Sequence, residues 1–146
     1  MPADIDVLAD LVVTELNARL PGWGFAANAV RKDAPLYSLE ELKTQRVTVL
    51  PILRTTAAAG RGGLLETRPR IDIDIRLRTK NDGAANAVLK ELSEIVAEHF
   101  LGGQVEGLSG CLESESSVVF QTEKMIEQGV FAAAVALTFL VMRNAR

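Results

Sequence analysis

Between Arg70 and Lys80 the chain alternates strictly: Ile71, Ile73, Ile75 and Leu77 are interleaved with Asp72, Asp74, Arg76 and Arg78. Side chains on an extended strand point to opposite faces in turn. One face of this stretch is therefore aliphatic and the other charged, which predicts a half-buried strand with its charged face in water. Such a strand must belong to a sheet with one covered side, and the rest of the chain has to supply both the partners and the cover.

The flanking segments read as follows. Asp4 to Leu20 predicts a helix, with Ile5, Leu8, Leu11, Val12, Leu16 and Leu20 in one stripe, Asp4 or Asp6 at its start and Pro21-Gly22 at its end. Phe25 to Lys32 predicts a first strand, with Trp23 packing at the edge of the core. Ser38-Leu39-Glu40-Glu41 has the form of a capping box opening a single helical turn. Arg46 to Thr55 predicts a second strand, and Pro51 requires it to lie at an edge or to break there, because proline cannot donate to a ladder. Asn81-Asp82-Gly83 turns the chain into a helix from Ala84 to Leu101. Its predicted inner stripe is Val88, Leu92, Ile95, Val96 and His99, and Gly102-Gly103 stops it. Gln104 to Glu115 reads as a loop or irregular strand around Cys111, Ser117 to Met125 as a strand, and Ile126 to Gly129 as a turn. Val130 to Arg143 is apolar on both alternating faces, and the expected final strand is therefore covered on both sides.

Thr56 to Pro69 joins two strong strands through Ala57-Ala58-Ala59-Gly60-Arg61-Gly62-Gly63, far longer than a hairpin loop usually is. The expectation is a long flexible arm that orders against a neighbouring subunit. Arg61 among three glycines lacks the Lys-Ser/Thr ending of a phosphate-binding loop.

Composition bounds the rest. A 146-residue chain that is 48% apolar and 24% charged makes one globular domain, and with 5% aromatics its core must be mainly Leu, Val, Ile and Ala. No apolar run reaches the roughly 18 residues of a membrane helix. The Met-Pro-Ala-Asp start lacks the basic segment of a secretory signal. One cysteine excludes an internal disulfide and a Cys-based zinc site, and one histidine, His99, restricts metal and acid–base chemistry. A cytosolic or assembled-particle setting is expected.

Charge is unevenly distributed. Arg46 to Lys80 holds eight basic and three acidic residues, whereas Asn81 to Gln128 holds two basic and nine acidic. These are either solvated surfaces of opposite sign or the two sides of a head-to-tail contact between copies, the kind that closes into a ring. Asp72 and Asp74 share a face about 7 Å apart at a rise of ~3.4 Å per residue. Paired carboxylates can hold Mg²⁺ or do acid–base work, but Arg76 and Arg78 follow on the same face, and cross-strand ion pairing accounts for all four. No catalytic, cofactor-binding or metal-ligating constellation is expected. Nor does the basic segment carry the interleaved aromatics of a single-strand nucleic-acid binder.

The predicted order of elements is an α+β domain with a mixed or antiparallel sheet of four to five strands and two main helices on one face. Together with the helix Ile5–Leu20, the strand Arg46-Val-Thr-Val-Leu-Pro-Ile-Leu, the Gly/Arg-rich arm leading into Ile71-Asp-Ile-Asp-Ile, the helix opened by Asn81-Asp82 and the final Phe131 to Arg143 strand, it resembles the tail-terminator and tail-completion proteins of long-tailed bacteriophages. The resemblance covers nearly the whole chain and lies in pattern. It implies a non-enzymatic virion protein of the tail, assembled in the host cytoplasm. Such a protein forms a ring, usually a hexamer, that ends tail-tube growth and meets the head connector. The implied partners are other copies of the chain, the tail tube protein and the connector or neck protein, with no membrane and with genomic DNA at most passing through the lumen. Arg61, Arg68, Arg70, Asp72, Asp74, Arg76 and Arg78 are the candidate assembly residues. The alternatives are another neck or head–tail joining protein, or a small cytosolic metal- or nucleotide-binding enzyme using Asp72, Asp74, His99 and the Arg61 loop.

Overall fold

A computed structural model describes residues 4–25, 27–60, 62–101 and 112–144, with the side chains of 112–114 excepted. Helix α1 (Asp4–Arg19) is followed by strands β1 (Ala29–Arg31), β2 (Arg46–Ala58) and β3 (Leu64–Arg78), helix α2 (Gly83–Leu101), strand β4 (Leu112–Phe120), helix α3 (Thr122–Gln128) and strand β5 (Val130–Asn144). The five strands form one sheet in the order β1-β2-β3-β5-β4. All neighbours are antiparallel except β1 and β2, which run parallel. This is the expected α+β architecture, and the alternating Arg70–Lys80 stretch forms most of its central strand.

The register explains the core. Ile71, Ile73 and Ile75 sit opposite Leu137, Val135 and Ala133 of β5, and Ile73 and Ile75 sit opposite Val49 and Val47 of β2. All of them are buried on the face covered by the helices. Helix α1 lies on β1 and β2 and helix α2 on β4 and β5. From α1, Leu8, Val12 and Leu16 are buried, as their 3.6-residue spacing requires, and Leu20 just past its end is buried with them. The inner stripe of α2 is rotated relative to the expectation. Leu89, Leu92, Ser93, Val96, Ala97 and Phe100 are buried, while Val88 is 52% exposed. Phe100 is the bulkiest apolar side chain of the helix, and with it turned inward Val88 faces out. Among the described residues no helix is long and apolar enough to cross a membrane.

Local signals explain several boundaries. Asp82 caps α2, its Oδ1 accepting from the backbone N–H groups of Ala84 at 2.9 Å and Ala85 at 3.3 Å. The Ser38 capping box is formed in both directions with Glu41, each contact 3.2 Å, and opens a short 3₁₀ turn at Glu41–Lys43. Pro51 lies where β1 stops covering β2, next to a register shift between Pro51 and Leu53. Among the described residues of the expected Phe25–Lys32 strand, Ala29–Arg31 forms the strand. Asn17 of α1 engages this segment through its side-chain amide, accepting from the Ala29 N–H at 2.7 Å and donating to the Ala29 carbonyl at 3.2 Å.

Two expectations are corrected. The Thr56–Pro69 arm is largely strand: β2 continues to Ala58 and β3 begins at Leu64, with Ala58 opposite Leu65. Strand pairing on β3's other side reaches equally far, with Leu64 opposite Asn144, so this segment is held as part of a three-stranded ribbon. The Ser117–Met125 strand ends at Phe120, and Thr122 to Gln128 forms α3, closed by Gly129 in the left-handed conformation at φ 62°. Leu112 to Glu115, expected as loop or irregular strand, is the irregular start of β4, with a register shift between Glu113 and Glu115. Cys111 and Arg61 lie outside the described residues.

Gly129 also ties two connections together. Its carbonyl accepts from the N–H groups of Thr79 at 3.0 Å and Lys80 at 2.8 Å. A Cβ there would meet the Lys80 backbone at 3.1 Å, and Lys80 and Asn81 are themselves left-handed at φ 52° and 61°. Both the conformation and the close approach call for glycine. Gly129→Ala should lower stability by about 1–3 kcal/mol in chemical denaturation.

One buried ionic contact links the two main helices. Glu15 of α1 is 6% exposed, and its Oε1 accepts from Arg19 Nε at 2.9 Å and His99 Nε2 of α2 at 2.8 Å. An ionised carboxylate can only accept, which places a proton on His99 Nε2. The His99 ring meets Trp23 edge-on at 5.1 Å between centroids. Burial pushes the Glu15 carboxyl up, but the hydrogen bonds from Arg19 and His99 outweigh it and hold the group below its ordinary value of 4.5. A carboxyl lowered on folding stabilises above its unfolded pKa, and that stability is lost as pH falls through the folded value. Glu15→Gln should therefore flatten the loss of stability on acidification below about pH 4.5, followed by thermal melts across the acid range.

Candidate functional site on the charged face of the central strand

The described candidates, from Arg68 to Arg78, fall on the sheet face opposite the helices; Arg68 and Arg70 reach solvent, but the two carboxylates are not in water. Asp72 is 8% exposed and Asp74 2%. The wet face expected from the alternation is corrected here. The connection between β1 and β2 folds across this end of the sheet: Tyr37 Oη and Thr48 Oγ1 are 2.7 Å apart, Leu42 is buried, and the 3₁₀ turn rests on β3. Lys32 Nζ and the Arg46 guanidinium lie over the Tyr37 ring at 4.2 Å and 5.6 Å.

Pairing on this face runs along β3. Arg70 donates from Nε to Asp72 Oδ1 at 2.9 Å and from Nη2 to Asp72 Oδ2 at 3.1 Å. Arg76 donates from Nε to Asp74 Oδ1 at 2.8 Å. Arg68 Nη2 contacts Glu66 Oε1 in the same way. Each pair joins residues two apart on one strand, whose side chains share a face. The expected cross-strand pairing fails for a reason visible in the register: Asp72 sits between Leu50 and Ala136, and Asp74 between Thr48 and Ala134, none of which carries charge. With small alanines on β5, the arginines lie flat along their own strand. The result is a charge ladder from Glu66 to Arg76, with Arg78 continuing on the same face opposite Val130.

The environment biases these groups in different ways. Burial pushes Asp74 above its ordinary value of 3.8, and the Arg76 guanidinium only partly offsets this. Lys124 of α3 acts on it in the same direction as Arg76. A carboxyl raised on folding contributes stability at low pH that is lost as pH rises from 3.8 through the folded value, opposite in sign to Glu15. Arg70 is held further above its ordinary value by the hydrogen bond it donates to Asp72 and by that group's charge.

Chemically, the arrangement spends its carboxylates on arginines. Asp72 uses both oxygens on one guanidinium, and Asp74 is sealed from solvent beside Arg76, whose side chain is 12% exposed. Among the described residues no cluster of three or more His, Cys, Asp or Glu is placed to hold a metal ion. His99 is on the helix-covered side, engaged with Glu15, and does not join Asp72 and Asp74. What the face does offer is a shallow groove of about 340 Å³ lined by Arg70, Glu115, Ser117, Val119, Ala134, Ala136 and Thr138. Glu115 lies before the expected Ser117–Met125 strand, and Val119, although inside it, is not among the sequence candidates. The alternation of exposed Glu115, Ser117 and Val119 is the signal that could have found them.

Asp74→Ala should leave the buried Arg76 charge uncompensated and cost about 3–5 kcal/mol in denaturant unfolding. The double variant Asp74→Leu with Arg76→Met should recover most of that loss, since replacing a buried pair by apolar groups of similar size is near neutral.

No known protein family matches this chain, and no curated protein matches its sequence. In three dimensions it is similar to a chain of a solved structure described as the virion of a native gene transfer agent particle, with a TM-score of 0.50 and 14% identity. The likeness covers 99% of this chain and 100% of that one, and it shows a shared fold.

Proposed function

We propose that this chain is a structural virion protein that forms a ring, a hexamer, which terminates a phage tail tube and provides the junction to the head connector. The observation that carries the reading is the similarity of fold, over 99% of this chain, to a chain of a gene transfer agent virion. Support also comes from the site. Asp72 and Asp74, the carboxylates that might have done chemistry, are committed to Arg70 and Arg76, as suits a rigid subunit rather than an enzyme. The uneven charge gives a basic segment, Arg46–Lys80, and an acidic one, Asn81–Gln128, suited to contact between successive copies. The ring's partners are the tail tube protein on one side and the connector or neck protein on the other.

The reading is tested by sedimentation and electron microscopy of the purified chain, alone and mixed with tail tubes of its own particle. Rings of a fixed multiple of the 15.8 kDa chain, sitting at one end of the tubes, are the expected result. A chain that stays monomeric in both conditions overturns it. Rings that bind a connector and ignore the tube move the protein to the neck instead.

A further inference from the structure

The sheet protects one of its edges and leaves part of another bare. At the β1 end, the outermost strand is short, the Asn17 amide occupies both backbone polar groups of Ala29, and Arg31 is tied to Asp6 and Asp10 at 3.0 Å each. Short strands and side-chain covers of this kind are how sheets discourage addition. β1, however, reaches only Val47 to Val49 of β2. Beyond it β2 runs on to Ala58 with β3 on one side and no strand on the other among the described residues.

The backbone direction there can be read from the register. The Ala59 N–H donates to Leu64 of β3. Alternate residues of an antiparallel strand turn their N–H and C=O groups to opposite sides, so Arg54, Thr56 and Ala58 point theirs away from β3. The shift between Pro51 and Leu53 changes which residues face out, so Val49 serves β1 while the even-numbered residues form the bare edge. Beyond the shift this stretch carries no proline and no lysine.

We infer that this bare edge of β2 takes β4 of the next copy of the chain, so that the sheets of successive protomers join into one. The inference rests on the ring reading above. Four observations select β4. It is the other terminal strand, with a partner on one side only among the described residues. It runs antiparallel to β5, hence antiparallel to β2, so a sheet continued head to tail in the same orientation sets the two strands antiparallel. Its charge is complementary: β4 carries Glu113 and Glu115 and no basic residue, whereas β2 beyond the shift carries Arg54 and no acidic residue. Lastly, both strands leave an apolar side chain uncovered on the same face of the sheet beside these edges, Leu53 at 55% and Val119 at 58% exposure, with Ile52 of β2 also exposed at 46%. Joining the strands brings those two stripes side by side and gives the outward backbone groups of Arg54, Thr56 and Ala58 their partners.

The test uses the full chain. Thr56→Pro removes an outward N–H that no strand of the protomer uses; it should keep the thermal melt of the monomer and weaken ring assembly about tenfold or more, read by sedimentation velocity across a dilution series. In a Cys111→Ser background, Thr55→Cys combined with Ser117→Cys, or one step on with Val119→Cys, should give a ladder of disulfide-linked multimers on mild oxidation. Within one chain these positions are three strand spacings apart, roughly 14 Å, too far for an internal disulfide. Wild-type rings that persist in Thr56→Pro at unchanged affinity, with no ladder from either cysteine pair, overturn the edge contact and leave the ring reading standing. A wild-type chain that never assembles, alone or on tubes, overturns both.

Discussion

The pairing of β3 along both of its edges is the constraint on which the rest of the fold depends. From Leu64 to Arg78 the strand is matched by β5, and over almost the same length by β2. A strand so placed has no edge to relieve it, so each of its faces must be settled by what lies above and below. On one side the isoleucines meet α1, α2 and the aliphatic rows of the neighbouring strands. On the other side the two aspartates have no charged neighbour directly across the sheet, and they are settled within the strand itself. Burying paired charges is costly unless geometry and hydrogen bonding are good. The bidentate Arg70–Asp72 contact meets that requirement, and the cover supplied by Tyr37 and the 3₁₀ turn keeps water from competing at Asp74.

How far this was legible in the sequence follows from where each signal is local. The alternation of Ile71 to Leu77, the 3.6-residue stripe of α1, the Asp82 cap and the two-faced apolar run of β5 are all contained within one element, and each led to the right element type. The Ser38 box is local too, and its hydrogen bonds form as its spacing demands. What failed depended on partners distant in the chain. Thr56 to Pro69 is rich in alanine and glycine; it is extended as far as Ala58 and again from Leu64, where pairing among β2, β3 and β5 holds it. Thr122 to Gln128 is too short for periodicity to reveal and is stopped by Gly129, whose role emerges only with Lys80 beside it. The burial of Asp72 and Asp74 was invisible for the same reason, since nothing in Arg70–Lys80 announces that residues 33–45 will fold over it.

The site followed the same division. Sequence alone grouped Arg68, Arg70, Asp72, Asp74, Arg76 and Arg78 on one face, and they are on one face. It could not say that the acids and bases neutralise each other two residues apart, because that depends on the alanines of β5 leaving room for the guanidinium groups. The surface free to meet another molecule consequently shifts outward from the charged ladder, to the β4 rim and to the far half of β2. A reading of function that begins from carboxylate pairs is led to the most heavily occupied part of the sheet.

The strand order also bears on how the chain comes off the ribosome. β2 and β3 are joined by a short connection and can close on each other early, but Ile71 waits for Leu137. Chains are made from the N-terminus at a finite rate, so until Val130 to Asn144 has emerged the strand that will become the centre of the sheet is its edge. During that interval its unpaired side presents backbone groups beside an uncovered aliphatic row, the combination most open to pairing with a stranger. Three arginine–carboxylate pairs held within β3 are already available at that stage. They place fixed charge on the nascent edge before any later strand exists to shield it.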